Sequence, residues 1–453
     1  MSTYRVAVIG SGPSGFYAAG ALLDADELDV RVDLYDRLAT PWGLVRAGVA
    51  PDHPKIKSVS AQYEKIAAHD DCRFFGNIEL GRHVTRDELL ERYHAIIYAV
   101  GSQTDRSLGI PGEHLPGSWS ATDFVGWYNG HPDYAELEFD LSGKRAVVVG
   151  NGNVALDVAR MLVLSPSELA RTDIADHALD ALAGSDISDV VVLGRRGAAQ
   201  AAFTTTELRE LDDIAGLVVA VDPQEVPSEG DVDAGSMTKA VRRNLDLMRE
   251  WATSGPTRAA ARQIAFRFHR SPVELRGDGR VEEVVLAVTE LQTDAGGLVR
   301  AVDTGKREVV PADLVFRAVG YRGVALPGIP FDDRRGVIPN QAGKIEGRER
   351  EYVVGWIRRG PTGIIGTNRK DANETVRHLF ADLPTLARKP VQEAAKIQEW
   401  LTERQPDLVT DEGWQAIDVH ERGRGKPHGR PRVKLTSTED LVGVSRSRGQ
   451  PSN

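Results

Sequence analysis

Three observations predict an α/β protein in which one design occurs twice. An apolar strand runs into a glycine-rich turn near the N-terminus, the pattern returns about 140 residues later, and the strand that follows each turn ends in charged residues. Arg5-Val-Ala-Val-Ile-Gly10 reads as a buried parallel strand. An alanine- and leucine-rich helix follows from Pro13 to about Asp24, then strand Val30–Tyr35 with Asp36 at its end. His94–Gly101 is a further strand, and Pro111-Gly112 marks a loop. Lys144–Gly150, a helix from about Asn153 to Leu164, and Val190–Gly194 repeat the unit. Beyond residue 222 a helix is expected near Ser236–Thr253, then alternating runs around Ile264–Phe268 and Val281–Val288 that read as antiparallel strands. Leu314–Gly320 echoes the strand that ends at Gly101, and helices near Asp371–Leu383 and Val391–Arg404 precede an irregular, basic stretch at Arg422–Lys434.

The first turn is Gly10-Ser-Gly12-Pro-Ser-Gly15. Its first glycine permits the tight turn, its second lets backbone approach a pyrophosphate, and its third lets helix pack on strand. The helix N-terminus offers amide donors and positive partial charge. Asp36 at the next strand end suits a ribose diol and opposes a 2′-phosphate, as FAD or NAD requires. The second turn is Gly150-Asn-Gly152-Asn-Val-Ala155, and its following strand ends in Arg195-Arg196. Two guanidiniums suit a dianionic 2′-phosphate, which selects NADP. One such pattern is weak evidence; two in matching contexts, with opposite charge at the ribose position, predict two Rossmann-like dinucleotide-binding domains. Nicotinamide donates hydride and flavin accepts it, so FAD with NADPH is the economical pair.

Bulk properties narrow the function. The chain has 453 residues, enough for two or three domains, and an ordinary 41% of hydrophobic residues. A net charge of −10 argues against general nucleic-acid binding. Cys72 is the single cysteine, which excludes an internal disulfide, a redox-active pair and a cysteine-ligated cluster. No metal site is expected. No apolar run is long enough to span a membrane. With the first strand starting near Tyr4 there is no room for a targeting peptide, so a cytoplasmic location is expected.

Four further segments carry a family resemblance. Thr40-Pro-Trp-Gly-Leu-Val-Arg46 with the run on to Lys57, Asn151–Asp157, Gly194-Arg-Arg-Gly197, and Tyr352–Asn368 closely resemble adrenodoxin-reductase-like ferredoxin–NADP reductases, the bacterial single-chain branch above all. The resemblance runs from Gly10 to about Lys434. It implies a three-layer FAD domain made from residues 1–105 and 319–453, the latter with a C-terminal extension, and an inserted NADPH domain at 106–318. It implies FAD contacts at the glycine loop, Ser14, Asp36, Leu44, Glu79, Trp356, Gly363, Ile364 and Ile365. It implies NADP contacts at Arg106, Asn151, Gly152, Asn153, Val154, Arg195, Arg196, Glu207 and Gly363. Glutamate is usual where Asp36 stands, and the contact at Glu79 would be through backbone. His53 and Glu210 are candidates to relay a proton or orient the rings; the plain alternative is a loop-shaping histidine and a solvated glutamate.

Electrons would pass from NADPH to flavin as hydride, then singly to a separate ferredoxin, which can feed a cytochrome P450 chain. Docking clusters are expected among Arg242, Arg243 and Arg249, at Arg358 and Arg359, or along Arg422–Lys434, and the protein is expected to be a monomer. A disulfide reductase would need a cysteine pair. A flavin monooxygenase would need an FxGxxxHxxxW fingerprint between the loops, which is absent. A docked electron-transfer subunit would carry cysteine-rich segments.

Overall fold

Six consecutive buried residues, Tyr4–Ile9, form the strand on which the first unit is built. They belong to a computed structural model that describes residues 3–25, 28–228, 237–254, 261–294, 296–386 and 392–447. The chain forms two units, one of residues 1–104, 129–135 and 320–453, the other of 105–128 and 136–319. The sequence division left 129–135 inside the 106–318 insert. The structure counts this segment with the first unit, where the Asn129 side-chain oxygen accepts hydrogen bonds from Lys57 (3.3 Å) and Lys434 (3.1 Å).

The first unit holds an eight-stranded sheet. Its five central strands, Glu351–Val353, Ala95–Tyr98, Tyr4–Ile9, Val30–Tyr35 and Cys72–Gly76, run parallel. Antiparallel strands close both edges. The two-residue alternation of side chains sorts Val6, Val8, Val32 and Leu34 to one face and Ala7, Ile9 and Tyr35 to the other. Helices cover both faces, so the unit is a three-layer sandwich. Helix Pro13–Leu23 packs on Thr367–Leu386, which brings the N- and C-terminal parts of the chain together.

The second unit has a six-stranded sheet in the order Ser118–Ser120, Leu314–Arg317, Arg145–Val149, Asp189–Gly194, Arg262–Phe268, Leu217–Val221. Every pairing in it is parallel. The expectation that Ile264–Phe268 is antiparallel is therefore wrong. This strand lies one place from the sheet edge and buries only every second residue from Ile264 on, which mimics a half-solvated strand. Antiparallel pairing does hold Arg270–Arg276, Glu283–Thr293 and Val299–Pro311 together. The helix expected near Ser236–Thr253 spans Lys239–Ser254, with Ser236 outside the described residues. That near Val391–Arg404 spans Ala394–Arg404, with Val391 likewise outside. The stretch expected to be irregular begins as helix, because Asp411–Gly425 continues through Arg422.

Candidate functional site

In the first loop Gly10 sits at φ +109°, and a Cβ there would lie 2.5 Å from the Ala99 carbonyl oxygen. A Cβ on Gly15 would lie 2.0 Å from the Gly10 carbonyl oxygen. Over Gly12 the nearest atom to such a Cβ is Gly43 Cα at 3.8 Å, an ordinary contact, so this glycine is the least crowded of the three. Asp36 does more than end its strand. One carboxylate oxygen accepts from the Ser11 amide (2.9 Å) and hydroxyl (2.6 Å), and the other accepts from the Leu38 amide (3.0 Å). The carboxylate is thereby fixed against the loop and keeps acceptor capacity for a diol.

The C-terminal part of the chain completes this side. Gly355, at φ +77°, lies so close to Ser14 that a Cβ would stand 2.0 Å from the serine hydroxyl oxygen. Asp371 accepts from the Gly355 amide and from Arg358 and Arg359. The next residue, Trp356, has a buried indole Nε1 with no partner among the described residues. A buried donor left unmet is costly, and a flavin oxygen would satisfy it. Gly363, at φ +80°, precedes Ile364, which is 69% exposed, and half-buried Ile365. The Ile364 amide donates to the Thr367 hydroxyl at 3.2 Å. Leu44 is half-buried and opens the short helix Leu44–Ala47. The Glu79 amide is committed to His83 Nδ1 at 3.1 Å, and its side chain faces Arg82.

The second loop repeats the geometry. Gly150 sits at φ +133° against Ala318, and nothing lies within 4 Å of where a Cβ on Gly152 would be. Buried Ala155 replaces the third glycine, and half-buried Val154 precedes it. Asn153 accepts from the Thr204 amide at 2.9 Å. Asn151 lies over the end of the following strand, since a Cβ on Gly194 would meet its side-chain nitrogen at 2.7 Å. Arg195 and Arg196 come next in the chain. Arg195 is exposed with no acidic partner among the described residues, and Arg196 is half-buried with a 3.5 Å contact to the Gln200 carbonyl. Arg106 is exposed. Glu207 is buried in helix Thr205–Arg209.

His53, in the first unit, is buried and caps the helix Pro54–Lys57, its carbonyl accepting the Ile56 and Lys57 amides. Glu210, in the second, is half-buried and 3.7 Å from Arg160. Sequence reasoning missed Arg160, which is 1% exposed and pairs with Asp157, Glu207 and Glu210. Its one signal was an arginine on the apolar helix that follows the second loop. Cys72 is buried, and burial, aided by Asp411 and Asp33, pushes its thiol pKa far up, so it is inert.

The pyridine nucleotide-disulphide oxidoreductase family profile matches residues 4–192. NADPH-ferredoxin reductase FprA of Mycobacterium tuberculosis is 54% identical over 98% of this chain and 99% of its own. The mitochondrial NADPH:adrenodoxin oxidoreductase of Arabidopsis thaliana is 41% identical over 97% of this chain and 95% of its own. The solved structure of M. tuberculosis FprA in complex with NADPH superposes with a TM-score of 0.95 over 98% of this chain and 99% of that one. The chain therefore belongs to the NADPH-ferredoxin reductase family that includes the mitochondrial NADPH:adrenodoxin oxidoreductases.

Proposed function

We infer that the chain is an FAD-dependent oxidoreductase that takes electrons from NADPH and delivers them to a ferredoxin. The opposite chemistry at the two loops carries this reading: Asp36 is bonded into the first, while the exposed Arg195 and its neighbour Arg196 follow the strand beside the second. Bound FAD would supply a two-electron acceptor able to release electrons one at a time, which nicotinamide alone cannot do.

The chain's own residues bind and orient. Gly10, Gly12, Ser14 and Gly15 would present backbone and hydroxyl to the FAD pyrophosphate, and Asp36 would hold its ribose. Leu44, Trp356 and the segment Gly363, Ile364 and Ile365 would position the flavin ring, with Glu79 at the edge of this set. Asn151, Gly152, Asn153 and Val154 would seat the NADPH pyrophosphate, Arg195 and Arg196 its 2′-phosphate, and Arg106, Glu207 and Gly363 the rest. Hydride transfer needs no side-chain nucleophile, so positioning is the main contribution. His53 and Glu210 would hold or move a proton near the reacting rings. The reading extends to a cytoplasmic monomer whose ferredoxin can feed a cytochrome P450.

The test is direct. Purified protein should be yellow and release FAD on denaturation, NADPH should bleach it without air, and the isolated chain should then reduce a ferredoxin. A colourless chain that cannot be reconstituted with FAD would sink the reading. NADPH oxidation without ferredoxin reduction would leave a flavoenzyme with a different acceptor.

A further inference from the structure

The segment Thr40–Ala47, which carries Leu44, is held from behind by the C-terminal part of the chain. Glu421, fully buried in helix Asp411–Gly425, accepts both guanidinium nitrogens of Arg46 at 2.8 and 2.6 Å. It also accepts Arg432 at 3.0 Å and the Leu435 amide at 2.9 Å. Those four bonds use the carboxylate's acceptor sites in full. Lys434, also buried, donates to the Arg46 carbonyl at 3.3 Å. Beside this cluster Trp42 and Trp414 meet edge to face at 4.8 Å, with Arg432 over Trp42 and Arg46 over Trp414, each at 5.6 Å.

The other side of the same segment touches the first glycine loop. The Trp42 amide donates to the Ser11 carbonyl at 2.9 Å, and a Cβ on Gly43 would lie 3.0 Å from Gly12 Cα. Trp42 sits at φ +82°, a conformation a bulky side chain adopts only when its surroundings over-determine it. Those surroundings include Trp414 and Arg432. A continuous path of contacts thus runs from Glu421 through Arg46, Trp414 and Trp42 to the Ser11 carbonyl, with Gly43 against Gly12, where the cofactor pyrophosphate would lie.

We propose that residues 411–435 form a clamp that fixes the conformation of Thr40–Ala47 for FAD, with Glu421 as its positioning residue. The proposal rests on the assignment of FAD to the first glycine loop. Leu401 provides the control, being buried in the cluster on the opposite face of the same sheet. Deflavinated wild type, Glu421→Gln and Leu401→Ala are each titrated with FAD, their melting temperatures are measured without FAD, and the visible circular dichroism of bound flavin is recorded.

Glu421→Gln is expected to raise the FAD Kd about tenfold or more and to alter the flavin dichroism, because it leaves the buried Arg46 guanidinium facing a neutral amide and Arg432 with only its Asp418 carboxylate. Leu401→Ala is expected to lower the melting temperature while leaving the FAD Kd within about twofold of wild type. Should Glu421→Gln not fold without flavin, Arg432→Gln keeps the Arg46–Glu421 pair and is expected to raise the Kd about threefold. An unchanged Kd in the clamp variants, or an equal rise in Leu401→Ala, overturns the clamp. A wild type that binds no FAD overturns the cofactor assignment itself.

Discussion

Arg160 sets a guanidinium nitrogen 3.3 Å from the Glu207 carboxylate inside the second unit, on the helix that opens from the second glycine loop. The same guanidinium donates to Asp157 at 2.8 Å and lies 3.7 Å from Glu210. One buried cation thus faces three carboxylates, and two of these are candidates for handling NADPH or its proton. Breaking a buried pair from one side costs about 3–5 kcal/mol, because the stranded charge keeps its desolvation penalty. Arg160→Met is expected to lose that much stability in thermal melts and to raise the KM for NADPH. Wild-type melting with wild-type KM would show that Arg160 anchors neither glutamate.

Arg195 and Arg196 are expected to read the 2′-phosphate. Replacing both by alanine should weaken NADPH relative to NADH by about 2–4 kcal/mol in kcat/KM, the worth of charge-assisted contacts to a dianion. Steady-state kinetics with both nucleotides measures this. Equal losses for the two would show that the arginines act on something common to both.

The third positions of the two loops should respond in opposite ways. A methyl group on Gly15 would press on the Gly10 carbonyl oxygen at 2.0 Å, a backbone atom that cannot step aside. Gly15→Ala is therefore expected to yield protein largely free of FAD. The second loop already carries alanine at this place, so Ala155→Gly should cost only about 1 kcal/mol of helix stability and leave NADPH binding nearly intact. FAD content per chain and NADPH titration decide the matter, and full flavin occupancy in Gly15→Ala would contradict the packing argument.

The two loops and their strand ends were legible because their chemistry is local: glycines at fixed offsets, then a charge one strand later. The residues that brace them were not. Asp36 could be placed at a strand end, but its grip on Ser11 depends on a turn geometry that the sequence does not display. Arg160 looked like any helical arginine until the fold buried it. Glu421 and Arg46 are 375 positions apart, and their bidentate pairing follows from tertiary packing alone. The basic residues of Arg422–Lys434 suggested a docking tail, yet Arg432 and Lys434 point inward. Arg358 and Arg359 are likewise spent on Asp371. Charge counted along a chain does not reveal which charges the fold has already neutralised.

His131 and Glu421 should each contribute stability that is lost on acidification, in separate pH windows. Burial holds the His131 imidazole down at about 4, so between pH 6.5 and 4 the unfolded chain takes up a proton that the folded one refuses. Burial pushes the Glu421 carboxyl up, but Arg46 and Arg432 override it and hold the group at about 2. Its folded pKa is depressed, so its contribution is whole above the unfolded value of about 4.5 and drains away as pH falls towards 2. Each contribution is worth about 3 kcal/mol. His131→Gln should flatten the first limb and spare the second. Urea titrations at a series of pH values test this, and an unchanged upper limb in the variant would remove His131 from the account.

Ferredoxin docking should depend on the basic side chains the fold leaves outside. Among the sequence candidates, Arg242 and Arg243 are exposed on helix Lys239–Ser254, whereas Arg249 is held by Asp246 and the Pro227 carbonyl. The chain as a whole carries −10, so attraction for an acidic ferredoxin must come from a local patch. Raising ionic strength from about 0.01 to 0.2 M shortens the Debye length from about 30 Å to under 10 Å, which should raise the KM for ferredoxin. Reversing both charges with Arg242→Glu and Arg243→Glu should raise it further at low salt and flatten its salt dependence. NADPH-dependent reduction of ferricyanide, which needs no protein docking, should be little changed in the same variant. A salt-independent KM for ferredoxin in the wild type would rule out charge-guided docking, and a steep dependence that survives the double reversal would move the docking face elsewhere.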